Sequence, residues 1–165
     1  MSHAITALVL PDAHVPEVAA QWDLRAVPLN GNLTLFHVTH CYAAYWQAVQ
    51  GVTGHFEVVP DRPPQLLFPT ENVLLQTARE LSGRPNPTFA ILITEFYGGM
   101  GSQGAVVCIN GGPIRATTDI NDALRELGIS AADGLDEFDT VGLGNHRSTP
   151  DYLDHYDDLC DELGV

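Results

Sequence analysis

Phe89-Ala-Ile-Leu-Ile-Thr-Glu-Phe-Tyr97, Gly98-Gly-Met-Gly-Ser-Gln-Gly104 and Ala105-Val-Val-Cys-Ile109 run on without a break, and how they are read decides the fold. Residues 99–104 spell Gly-x-Gly-x-x-Gly, the letters of a dinucleotide-binding turn. That turn needs a strand before it and a helix after it, so that helix amides meet the pyrophosphate. Here a second apolar, strand-like run follows the last glycine. Strand, glycines and strand predict a β-hairpin, with no helix dipole facing a phosphate. The letters also match a kinase glycine-rich loop, but that loop needs a strand lysine soon after. The chain has no lysine. Glycine at a hairpin tip supplies positive φ at no steric cost. Four glycines, Gly98, Gly99, Gly101 and Gly104, exceed what a tight turn needs. A structural hairpin is the leading reading of 98–104, and a mobile loop approached by a ligand or partner is the alternative that would explain the surplus.

Outward from the hairpin, strand and helix patterns alternate. Ile5–Leu10 reads as a strand ended by Pro11-Asp12, and Pro16 suits the first turn of a short helix carrying Val18, Ala19 and Trp22. Leu24–Leu29 and Leu33–Val38 read as strands joined at Asn30-Gly31. Thr39 caps a helix that stops at Gly51. His55–Val59 reads as a short strand, followed by a stiff connector at 60–64. Thr70 is the expected cap of a helix with Val73, Leu74, Ala78 and Leu81 inward. Asn110-Gly-Gly-Pro113 leads to a brief edge strand. Asp119 or Thr118 caps a helix whose Ile120, Ala123, Leu124 and Leu127 share one face. Residues 133–139 read as an acidic loop with Phe138 plugging the core and His146 and Arg147 near its acids. Tyr152, Tyr156, Leu159 and Leu163 stripe an otherwise acidic last helix. Together these predict a single α+β domain, residues 1–165, with a mostly antiparallel sheet and helices packed on it.

Charge narrows the function classes. The net charge is −14, and residues 119–165 hold 13 acidic against 2 basic residues. With only 7 arginines and no lysine, nucleic-acid binding is disfavoured, because phosphate affinity rests on cations. An anionic membrane surface is disfavoured for the same reason. A basic protein partner suits the charge. Met1-Ser-His-Ala-Ile5 lacks the basic start of a signal peptide. Cys41, Cys108 and Cys160 are odd in number and widely spaced, which favours reduced thiols and a cytoplasmic location.

Candidate chemistry is sparse. Glu95 and Tyr97 alternate onto one strand face beside the glycine tip, and Gln103 is expected nearby. His37, His40, Cys41 and His55 are residue types that ligate metals, but their spacing need not converge. No metal and no cofactor is assigned. Asp136, Glu137 and Asp139 lack the ligand series of a calcium loop.

Three segments carry a resemblance: residues 94–104, Ile120-Asn-Asp-Ala-Leu-Arg-Glu-Leu-Gly128, and Asp136-Glu-Phe-Asp-Thr-Val-Gly-Leu-Gly144 with His146-Arg147. They resemble a family of small, acidic, uncharacterised bacterial proteins with these segments in the same order, over about residues 88–150. Such families are associated with toxin–immunity systems, which implies binding and no catalytic residue.

The leading expectation is a non-enzymatic binder of a basic partner, contacted through Glu95, Tyr97, Asp151, Asp154, Asp157 and Asp158, with Tyr152, Tyr156 and Trp46 as further aromatic anchors. The alternatives are a small enzyme or ligand-binding domain with Gly98, Gly99, Gly101, Gln103 and Gly104 as a lid, using Glu95, Tyr97, Gln103 and His146, and a homo-oligomer with the stripe of the last helix as its seam.

Overall fold

Strand β1 (His3–Pro11) is buried along most of its length because it lies inside the sheet, between β3 (Leu33–His37) and β4 (Phe89–Tyr97). The computed structural model describes residues 2–11, 13–60 and 68–165. Strands β2 (Val27–Leu29), β5 (Met100–Cys108) and β6 (Arg115–Ala116) complete a six-stranded sheet of order β2-β3-β1-β4-β5-β6. Every neighbouring pair is antiparallel. The α+β expectation is therefore met.

Alternation along the strands sends side chains to two separate cores. Leu8, Leu10, Phe36, Ile91 and Val106 face one way, and Ala7, Val9, Leu35, Leu92 and Val107 the other. The first face is covered by α1 (Pro16–Gln21), α2 (His40–Gln50), α3 (Val73–Ser82) and α6 (His155–Leu163). The second is covered by α4 (Ile120–Glu126) and α5 (Glu137–Val141).

Several boundaries differ from expectation. Thr70 does not cap α3. The Val73 amide donates instead to Gln47 Oε1 of α2 at 2.8 Å, which leaves Thr70 to hydrogen-bond His55. Residues 55–59 make only two isolated bridges, His55 to Glu71 and Val59 to Arg115. The strand expected from Leu24 begins at Val27. The supposed acidic loop is α5, capped by Asp136, whose carboxylate accepts from the Asp139 amide. Glu137, Val141 and Leu143 are buried there, while Phe138 is only partly so. Residues 61–64 of the connector lie outside the described residues, as does Asp12.

No helix among the described residues is long and apolar enough to cross a membrane. The sheet margins are also covered in part. Pro28 lies on the outer strand β2, and Val59 bridges Arg115 on β6.

Candidate functional site

The β4–β5 hairpin outruns its neighbours. β1 pairs with β4 only as far as His3 opposite Phe96, and β6 meets β5 only at Val106 and Val107. At the tip Tyr97 pairs with Met100, and the two residues between them, Gly98 and Gly99, have φ of 63° and 80°. A two-residue hairpin turn of this kind needs positive φ at both centres. Gly101 is demanded more strongly still. A Cβ there would lie 1.8 Å from the Glu95 carbonyl oxygen. Backbone geometry thus explains three of the four glycines, and the surplus calls for no ligand. Gly104 continues directly into β5, opposite Ile93. Strand, not helix, follows the glycines, so the dinucleotide spelling has no phosphate-facing helix.

Beyond buried Ile91 and Ile93, the same strand face reaches Glu95 and Tyr97, both exposed. With Thr6, Thr39, His40 and Thr149 they line an open hollow of about 200 Å³. His40 arrives there because Thr39 caps α2, its side chain accepting from the Tyr42 amide at 3.0 Å. Thr149 arrives from the segment that leads through a short turn of helix, Asp151–Leu153, into α6.

Asp151, Asp154, Asp157 and Asp158 are all exposed. Residues 148–165 contain no lysine or arginine, and among the described residues no arginine pairs with these four aspartates. Asp157 acts on the thiol of Cys41, the residue after His40, and helps to raise its pKa. The expected contact residues therefore gather along one side of the molecule, from the hairpin tip past the start of α2 to α6.

Gln103 is the exception. It stands opposite Thr94, on the other sheet face from Glu95, and its Oε1 accepts from the Ile120 amide at 2.7 Å. It caps α4 and borders a different hollow, of about 210 Å³, between Phe96 and Phe138. His146 neighbours buried His37, on the α4–α5 side, and helps to lower its pKa. Arg147 reaches the Ser2 carbonyl rather than the acids of α5. Glu95 and Gln103 therefore point from opposite faces of the sheet.

Three of the four aromatic anchors are core residues. Tyr156 is buried, and Trp46 and Tyr152 pack against the same core. Tyr156 donates to Asp23 Oδ2 at 2.7 Å and accepts from the Trp46 indole at 3.1 Å. Burial, then its bond to Asp23, raises the phenol well above its ordinary value. Of the four, Tyr97 is the exposed one, at 64%. The α6 stripe is likewise consumed within the chain, since Tyr156 and Cys160 are buried and only Leu163 stands half-exposed.

The residues that attracted attention as metal ligands are scattered. His37 lies on the α4–α5 face, His40 on the opposite one, and His55 bonds Thr70 at 3.0 Å. Among the described residues no three His, Cys, Asp or Glu side chains assemble into a metal site. The sequence reading overlooked His3. His3 Nε2 donates to the Leu143 carbonyl at 3.0 Å, and His3 Nδ1 hydrogen-bonds at 2.7 Å to Thr94 Oγ1, which also accepts from the Ile5 amide. This imidazole ties β1, β4 and the segment after α5. Its place near the chain start gave no signal in the sequence.

Compared with protein families, curated proteins and solved structures, the chain finds no match.

Proposed function

We propose that this protein is a non-enzymatic binder of the bacterial cytosol that captures a basic segment of a partner protein, as an immunity or antitoxin-like inhibitor does. One observation carries the reading: among the described residues the exposed aspartates of α6 and its lead-in pair with no arginine, and the lead-in reaches the Glu95–Tyr97 hollow through Thr149. Uncompensated negative charge accelerates the approach of a basic surface and disfavours acidic competitors. Tyr97 supplies an exposed ring on which a cationic side chain can rest. The mechanism is steric occlusion by the hairpin tip, guided by charge.

The test is affinity capture with mass spectrometry, followed by binding kinetics on the purified pair. Asp154→Asn, Asp157→Asn and Asp158→Asn together should slow association at least ~10-fold at low salt and leave dissociation nearly unchanged. A partner whose association ignores both the triple variant and added salt refutes the charge-guided reading. The convergence of His40, Glu95 and Tyr97 on one hollow also favours a second reading, a small-ligand domain. That reading predicts a small molecule whose binding is lost in Glu95→Gln and kept in the triple variant.

A further inference from the structure

We propose that Cys41 and Cys160 form a dithiol pair that closes into a disulfide, stapling the first turn of α2 to α6. The two residues are 119 apart in sequence, yet the Cys160 thiol donates to the Cys41 carbonyl at 2.9 Å. Each thiol also acts on the ionisation of the other. The Cys160 sulfur thus touches the main chain of Cys41 from a packed neighbouring helix, and a disulfide needs such a close approach of the two residues. Cys108 has no such neighbour. It lies at the end of β5 and donates to the carbonyls of Pro87 and Gly112.

The chemistry is thiol–disulfide exchange with a small-molecule disulfide, RSSR. Cys41 is partly exposed and Cys160 buried, so Cys41 meets the oxidant. Its thiolate attacks one sulfur, forming a mixed disulfide and releasing one thiolate RS⁻. Cys160 then loses its proton and displaces the second RS⁻ from Cys41. Two protein thiols lose two electrons, and RSSR becomes two RSH. Burial, then the bond to Asp157, pushes the Cys41 thiol up to about 12. Thiolate is therefore scarce near neutrality, and closure is slow unless oxidation is sustained or the pH rises. Once closed, the staple fixes the acidic helix to the start of α2, beside the hollow.

The full-length protein is treated with oxidised glutathione, quenched with a thiol alkylator, and read by intact mass and peptide mapping. Wild type and Cys108→Ala should each lose two hydrogens and yield a peptide joining residues 41 and 160. Cys41→Ala and Cys160→Ala should yield none. The closure rate should climb ~10-fold per pH unit from about pH 7 to about pH 9. The closed form should melt at least about 5 °C higher than the reduced form, because a long loop is constrained in the unfolded chain. Persistent glutathione on Cys41 without the joined peptide overturns the proposal. So does a cross-link through Cys108, or a wild type that stays reduced at about pH 9. The wild-type peptide map decides the matter even if an alanine variant fails to fold.

Discussion

The two faces of the sheet handle charge in opposite ways. On the α4–α5 face, polar groups are drawn into the packing. Glu137 is only 7% exposed and pairs with Arg125 at 2.6 Å, Arg125 also reaches Asp122, and His3 and His37 are buried beneath. On the α6 face, aromatic rings join the core, and the aspartates of α6 and its lead-in stay exposed and pair with no arginine among the described residues. The same residue type is structural on one side and available on the other. A count of aspartates and glutamates is blind to that division, because it depends on where the few arginines fold.

The contrast is broken most readily with acid. Burial, then electrostatic interaction with His146 and His3, holds the His37 imidazole at about 4 instead of its ordinary 6.5. Between those values the unfolded chain binds a proton that the folded chain refuses. His37 therefore leaves stability intact above 6.5 and erodes it as pH falls toward 4, by on the order of 3 kcal/mol in total. Urea unfolding at stepped pH should show this slope in wild type and a flatter one in His37→Gln; equal slopes would remove His37 from the account. A somewhat smaller effect is expected from Arg125→Ala. It strands the buried Glu137 carboxylate and should cost about 2 kcal/mol, less than a fully buried pair because the arginine is half-exposed. Adding Glu137→Gln should recover part of that loss, and full additivity of the two changes would show that the pair is not coupled. Smallest of all is the effect of the triple Asp154, Asp157 and Asp158 change to asparagine on folding. These side chains cap no helix end by hydrogen bonding, so stability should move by no more than about 0.5 kcal/mol. A larger loss in thermal unfolding would mean that the acidic face is structural after all.

Much of this division was hidden from the sequence for physical reasons. Helices with strong local signals were legible: α2 between Thr39 and Gly51, α4 behind Asp119, and the turn between Tyr97 and Met100. Five-residue α5 is too short to display a helical period, and it is held from outside, Asn121 of α4 accepting from the Phe138 amide. Gln103 seemed a companion of Glu95 until strand register set them on opposite faces. At the candidate site, Glu95 and Tyr97 followed from alternation alone, whereas His40 and Thr149 joined them only through tertiary packing. The Cys41–Cys160 contact defeats any reading by spacing, since the chain folds its last helix back onto its second.

The aromatic core under α6 has a practical corollary. Trp22 and Trp46 are the chain's 2 tryptophans, and their ring centres stand 5.2 Å apart. Indole emission and near-ultraviolet dichroism thus report on a single layer, and at this separation the pair behaves as one coupled chromophore. Loosening around α4 and α5 passes unseen by that optical gauge. Spectroscopists following this protein need a second label on the opposite side before they can say that the whole of it has melted.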